Sequence, residues 1–431
     1  MELFGLPYYY YGLTLCLAFI FHAIVTKLEA SKKPRPRMPP GPWQLPIIGS
    51  IHHLLRGLPH HTMRDLSLRH GPLMLLRICE HKAVVVSSAE AVREIFKGAN
   101  TAFEQRPSTP GMDEVYSGLG RLGVIFAPYG EHWRQLRRIL VTELLSARRV
   151  QNFQNIRQEE AARLLSSLSS SPPGKLVNVD ELIAGFIADS SVRAIFGDRL
   201  PDRAAFLKVM KHGTDISSLF DLRDLFPSSR LVRMLPRSHK KERHQQELFR
   251  LIDDILRNHQ ERRAAGDGDA VKEHDMIDVL LQLQKEGSMQ LFLTPGIINT
   301  LAMEVFGAAL DTSTSTLQWA MAELMANPRV MEKAQHEIRR VLAGQERVRE
   351  EDLREMHYLK AVVKETLRRH PPSPFIPRVC LDDKKIQGYD VPKGTQNTGK
   401  TPSASFPKGS KEKLKGYISA YKNPSRYNET D

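Results

Sequence analysis

Apolar and polar positions divide the chain into unequal parts. From Leu3 to Thr26 there is no Asp, Glu, Lys or Arg, and LCLAFIFHAIV is strongly apolar. At about 1.5 Å per residue this stretch predicts a helix long enough to span a bilayer. Two short β-rich runs follow at 73–79 and 83–88, separated by a polar turn. Ser87 and Glu90 stand at capping-box spacing and predict a helix through Val92, Ile95 and Phe96. From about residue 131 the pattern is mostly helical, broken at 166–174, 226–241 and 264–269, where Ser, Pro and Gly collect. The longest predicted helix has Thr294 as N-cap and Pro295 at its first position, and nothing stops it before Asn327-Pro328. That is long enough to cross a whole domain. No internal repeat is present.

Between the apolar start and the first strand, MPPGPWQLPIIGS at 38–50 places Pro39, Pro40, Pro42 and Pro46 where helix is forbidden and a stiff, extended connection is favoured. The four parts are then an anchor at 1–26, a basic and Pro-rich linker at 27–50, a globular body at 51–396 and a tail at 397–431. The tail is rich in Lys, Ser, Pro and Gly and reads as disordered.

Charge changes the picture once it is located. The formal net charge of +13 resembles a nucleic-acid footprint. However, 27–37 (Lys27, Lys32, Lys33, Arg35 and Arg37 against Glu29) and 397–431 each carry a net +4, so most of the excess sits in two terminal pieces. A nucleic-acid partner is therefore not expected. Glu2 before the apolar run and the basic cluster after it argue against a cleaved signal and place the body on the cytosolic side. The basic run at 230–243 is a candidate contact for lipid headgroups. Cys16, Cys79 and Cys380, the only cysteines in 431 residues, build neither a disulfide framework nor a zinc cluster. The 16 histidines form no compact ligand pattern.

Three segments carry candidate chemistry. FGAALDTSTST at 306–316 sets small residues, an acid and hydroxyls into the middle of the long apolar helix, where Asp311 and Thr312 need partners, water or a ligand. A helix–helix crossing with a satisfied polar patch explains the same pattern. In HYLKAVVKETLRRHPPSPFIPR at 357–378, Glu365 and Arg368 share a helical face and can pair, although other Glu-x-x-Arg spacings, such as Glu90/Arg93 and Glu337/Arg340, show how little the interval says alone. In FAPYGEHWRQLRR at 126–138, Trp133 and Arg137 lie one turn apart, an indole donor and a guanidinium suited to a carboxylate. A surface cation–aromatic contact is the plain alternative.

In this order and at these separations, the anchor and PPGP hinge, Trp133-x-x-x-Arg137, the long helix with Asp311-Thr312, and Glu365-x-x-Arg368 before PPSPFIPR resemble the cytochrome P-450 superfamily of haem-thiolate monooxygenases. The similarity is greatest to the plant group acting on specialised metabolites. It extends over roughly 1–396 and implies a mainly α fold with small β-sheets (α+β), binding haem b. By this resemblance Trp133, Arg137 and Arg378 hold the haem propionates. Thr312, aided by Asp311, organises the water that delivers protons during dioxygen activation. Phe306, Ala309, Phe375 and Ile376, with the 112–125 loop, shape the substrate pocket, and Glu365 and Arg368 are structural, closing a buried triad with an arginine farther along. The implied partners are an NADPH-dependent flavoprotein reductase, met by Arg134 and Arg138, a small apolar substrate with a terpenoid favoured, dioxygen and membrane lipid. The implied location is the endoplasmic reticulum membrane.

Two departures follow. Ala309 stands where the family usually has glycine. More consequentially, the iron ligand of the family is a cysteine in a glycine-bearing loop near the C-terminus, and neither that loop nor the final helix and strands follow VPKGTQ at 391–396. Cys16, Cys79 and Cys380 are not substitutes, so no metal ligand is expected among the cysteines. Two readings result: a membrane-bound monooxygenase, and a catalytically silent product that at most associates with intact relatives.

Overall fold

The computed structural model describes residues 36–400 except 56, 97–100, 108–122, 173, 175, 198–203, 210–221, 236–238, 265–274, 288–292, 346–347 and 374. The apolar run at 3–26 and residues 401–431 lie outside the described residues. Among the described residues no helix is long and apolar enough to cross a membrane.

The chain enters through α1 (Ile51–Leu54) and α2 (Pro59–His70), then forms β1 (Leu73–Ile78), β2 (His81–Val86) and α3 (Ala89–Phe96). Helices α4 (Glu131–Arg138), α5 (Ala147–Asn152), α6 (Gln154–Ser169) and α7 (Val179–Phe196) follow, a π-helical stretch at Ile139–Leu144 joining α4 to α5. Next come α8 (Leu222–Leu225), α9 (Arg230–Arg233), α10 (His239–Ala264), α11 (Met276–Glu286), α12 (Pro295–Ala326), α13 (Pro328–Leu342) and α14 (His357–Arg369). The chain closes with β3 (Phe375–Val379), β4 (Lys384–Ile386), β5 (Tyr389–Val391) and β6 (Gln396–Lys400). One sheet has the order β1-β2-β6-β3, with β2 and β6 parallel and the other pairs antiparallel; β4 and β5 form a separate hairpin.

Local signals set many boundaries. Thr294 Oγ1 accepts the N–H of Ile297, Pro295 occupies the first turn, and α12 runs 32 residues to Asn327, whose successor Pro328 opens α13. Near the first strands the boundaries shift from the sequence expectation. Cys79 adopts φ 54°, so β1 stops at Ile78 and β2 starts two residues earlier than the apolar run, at His81. The cap of α3 is Ser88, whose Oγ accepts the N–H of Ala91, while Ser87 Oγ donates to Ser67 Oγ.

Strand β6 also moves a boundary. The tail was expected to begin at 397, yet 396–400 pair with β2 on one side and β3 on the other, in the register Val84↔Asn397 and Arg378↔Asn397. Two neighbouring strands supply the backbone hydrogen bonds that this polar segment would not find alone.

The main core gathers Leu136, Ile139, Val192, Phe196, Phe206, Ile252, Ile277, Leu280, Ile298, Leu301 and Phe306 from α4, α7, α10, α11, α12 and the segments between them. A polar clasp sits at its edge. His259 Nε2 of α10 lies 2.9 Å from Asp278 Oδ1 and 3.6 Å from Asp275 Oδ2, and the two aspartates form a reciprocal capping box on α11. Gly197 ends α7 at φ 78° against Asp275, where any Cβ would collide with the carboxylate.

Candidate active site

Helix α12 forms one wall of the site. Its middle carries Asp311 and Thr312, both exposed, and Thr312 Oγ1 donates to the carbonyl of Ala308 at 2.7 Å. This back-bond is the local behaviour expected of a helical threonine. Ala309 beside them is half-buried. Phe306, expected to shape the pocket, is fully buried in the main core, its ring edge-on to Phe206 at a centroid distance of 5.0 Å.

Helix α4 brings the second group. The indole N–H of Trp133 donates to the carbonyl of Val124 at 2.9 Å, and the guanidinium of exposed Arg137 lies 5.3 Å over the Trp133 ring. The cation–aromatic contact forms; the indole N–H, expected to serve a carboxylate, is instead taken by the Val124 carbonyl, and Arg137 is exposed.

Strand β3 brings the third. Arg378 is half-buried, its guanidinium 5.8 Å from the Phe96 ring. Burial first, and then the like charges of Arg106 and Arg137, hold its pKa below the usual guanidinium value. The strand is tied to the segment that carries Arg106, because Val379 N–H donates to Gln105 O at 2.9 Å and Leu381 N–H to Ala102 O at 2.8 Å. Guanidiniums from two other segments, Arg106 and Arg137, thus act on Arg378. Such a set is suited to a dianion with two carboxylates. Arg106 had no signal in the sequence, since only backbone pairing with β3 brings it there. Of the remaining pocket residues, Phe375 is half-buried and Ile376 exposed on β3, whereas 112–122 lie outside the described residues.

Glu365 and Arg368 do pair, with Arg368 Nε 2.7 Å from Oε2 and Nη2 2.5 Å from Oε1. The pair is more than half exposed on both sides, not buried in a triad. Arg368 holds the Glu365 carboxyl below its usual range. The end of α14 is anchored instead by neighbours: His370 Nε2 lies 2.7 Å from Glu323 Oε1, Arg369 contacts the other oxygen at 3.1 Å, and the His370 ring stacks on Trp319 at 3.9 Å.

Tested against a haem group, the cationic set fits the propionates and the small residues around Ala308 and Ala309 leave room beside the helix. Among the described residues neither cysteine is suited to ligate a haem iron. Cys79 ends β1 and is buried, with its thiol pushed up by desolvation. Cys380 is fully buried in a second core cluster, 2.9 Å from Asp382 O, and burial likewise pushes its thiol up. Thiols held neutral in apolar surroundings are poor metal ligands.

Comparison with known proteins shows the family. The cytochrome P450 family model matches residues 39–398. Desmethyl-deoxy-podophyllotoxin synthase of Sinopodophyllum hexandrum is 40% identical over 371 residues, 85% of this chain and 72% of the relative. Ent-isokaurene C2/C3-hydroxylase of Oryza sativa subsp. japonica is 42% identical over 397 residues (89% and 77%), and 5-epiaristolochene 1,3-dihydroxylase of Nicotiana tabacum is 38% identical over 386 residues (89% and 76%). A zebrafish cytochrome P450 solved with abiraterone shares the fold at a TM-score of 0.65 and 23% identity, covering 86% of this chain and 80% of that one. With the family model spanning most of the chain and plant relatives at about this identity, the protein belongs to the cytochrome P450 family.

Proposed function

We propose that this fold serves haem-dependent monooxygenation of a small apolar plant metabolite, a terpenoid first. Family members carry haem, use dioxygen and draw electrons from a redox partner. The observation that carries the reading is the approach of Arg106 and of Arg137 to Arg378, close enough for both charges to act on it. Relatives named for hydroxylating ent-isokaurene and 5-epiaristolochene, both terpenoid hydrocarbons, support the substrate class.

In this reading Arg137 and Arg378 neutralise the two haem carboxylates, Arg106 adds to the field, and Trp133 supports Arg137 from beneath. Haem, when bound, supplies dioxygen binding and activation. Thr312 keeps an Oγ1 lone pair free while it donates to Ala308, so the hydroxyl can accept from water and pass a proton by rotating about its side-chain bond. Asp311 beside it is exposed to solvent. The overall balance takes one C–H bond, dioxygen, two electrons and two protons to an alcohol and water. An NADPH-dependent flavoprotein is the proposed electron source, meeting exposed Arg134 and Arg138.

Membrane lipid is the proposed surface beneath the sheet. Trp43, Ile47, Leu231 and Met234 are each more than 60% exposed. The segments carrying them meet the same end of the sheet: Gly49 bridges Ile78, and Ser228 donates twice to Glu80, at 2.9 and 2.7 Å. Exposed Arg230 and Arg233 border the apolar groups. The endoplasmic reticulum membrane is the proposed location, and this surface and the apolar run at 3–26 support attachment to a membrane.

A second reading is favoured by the cysteines. With the Cys79 and Cys380 thiols buried and held neutral, the 431-residue chain by itself is, in this reading, catalytically silent, at most associating with intact relatives. One experiment addresses the oxygenase reading. In a chain given an axial cysteine by fusion to a relative's remaining segment, Thr312→Ala is expected to divert electrons from product to peroxide; unchanged coupling would refute the proton-delivery role.

A further inference from the structure

The long helix has one charged side chain between Pro295 and Leu310, Glu304. Its carboxylate accepts the N–H of Val124 at 2.7 Å and of Ile125 at 3.0 Å. Gly123 lies so close that a Cβ there would collide with the same carboxyl group. Val124 then accepts from the Trp133 indole, and Trp133 lies under Arg137. An unbroken path of hydrogen bonds and a ring contact runs from α12 to the cationic set.

We propose that Glu304 is a positioning residue: a latch that holds the 123–125 segment on α12 and, through Val124, sets the Trp133 indole beneath Arg137. Resting on the haem-site reading for its functional meaning, the latch itself stands on geometry that needs no haem. Among the described residues the hydrogen bonds to the carboxyl come from backbone N–H groups, so its hold does not depend on the side chains of Val124 and Ile125. Glycine at 123 is what allows the approach.

The latch is also tuned by pH. Burial pushes Glu304 up to about 7, opposed by the two N–H donors and by Arg106. Gly123, Val124 and Ile125 present no titratable side chain, and neither do Thr300, Leu301, Gly307 and Ala308, the α12 residues one turn away. In the opened segment Glu304 is hydrated and returns towards the ordinary value of 4.5. The closed form therefore binds the proton more tightly, and ionisation above neutrality favours opening.

The test is amide hydrogen exchange in the full chain, corrected for intrinsic exchange rates, at pH 6 and pH 8. Glu304→Ala is expected to speed exchange at Val124 and Ile125 about tenfold or more, leaving the α7 amides unchanged. In the wild type, protection at these two amides falls from pH 6 to pH 8, and in Glu304→Gln it does not. Gly123→Ala, which leaves α12 intact, is expected to open the segment equally. Unchanged protection in Glu304→Ala and Gly123→Ala overturns the latch, and a pH response that persists in Glu304→Gln overturns its titration. Neither readout depends on haem, so failure of the oxygenase reading is recognised separately.

Discussion

His370 Nε2 and Glu323 Oε1 lie 2.7 Å apart and join the last turn of α12 to the end of α14. His370 is buried at 1% exposure, sandwiched by its stacking on Trp319, so the pair is screened from water on the imidazole side. This pair replaces the buried contact expected of Glu365 and Arg368 as the attachment of the α14 end.

Removing one partner leaves the other poorly satisfied in a buried setting. Glu323→Ala and His370→Leu are each expected to cost about 2–3 kcal/mol, read from urea unfolding followed by Trp fluorescence. Arg368→Ala, by contrast, removes an exposed pair and is expected to change stability far less than either of these. Equal losses at the two sites would contradict this assignment.

Stability should depend on pH through Glu304. Its folded pKa, about 7, lies above the unfolded value of 4.5. The contribution is thus fully present below about pH 4.5 and is lost as pH rises through 7, on the order of 1–3 kcal/mol. Urea midpoints of wild type and Glu304→Gln from pH 5 to 8 check this: the wild type should fall relative to the variant. Parallel curves would contradict it.

Cys79 and Cys380 are buried with thiols held neutral. Both should resist an aromatic disulfide reagent at pH 8 in the native chain and react when it is unfolded. Replacing Cys380 with Ser should lower stability without altering any haem signal. Rapid native labelling of either thiol would show that the core around it is not closed.

The sequence carried the parts of this architecture that local chemistry decides. Thr294-Pro295 and Asn327-Pro328 bound α12 to the residue, because capping and proline act within a turn. Trp133 and Arg137 were found by their one-turn spacing. What depends on distant segments was not legible. Phe306 is apolar whichever way it faces, so its spacing could not separate pocket from core. Arg106 reaches Arg378 only because 102–105 pair with β3 and Leu381. Strand β6 has no apolar pattern and exists because β2 and β3 flank it. Glu304 did leave a signal, an acid alone in an apolar helical stretch, but its partners 180 residues earlier did not.

The central claim is that this is a haem monooxygenase fold whose Cys79 and Cys380 are structural. The carbon-monoxide difference spectrum in microsomes tests it most directly, comparing the 431-residue chain with a fusion that adds a relative's cysteine-bearing segment after Lys400. The account predicts no thiolate-type Soret band from the chain alone and a clear band from the fusion. A thiolate-type band from the chain alone, or none from a normally expressed fusion, would contradict it.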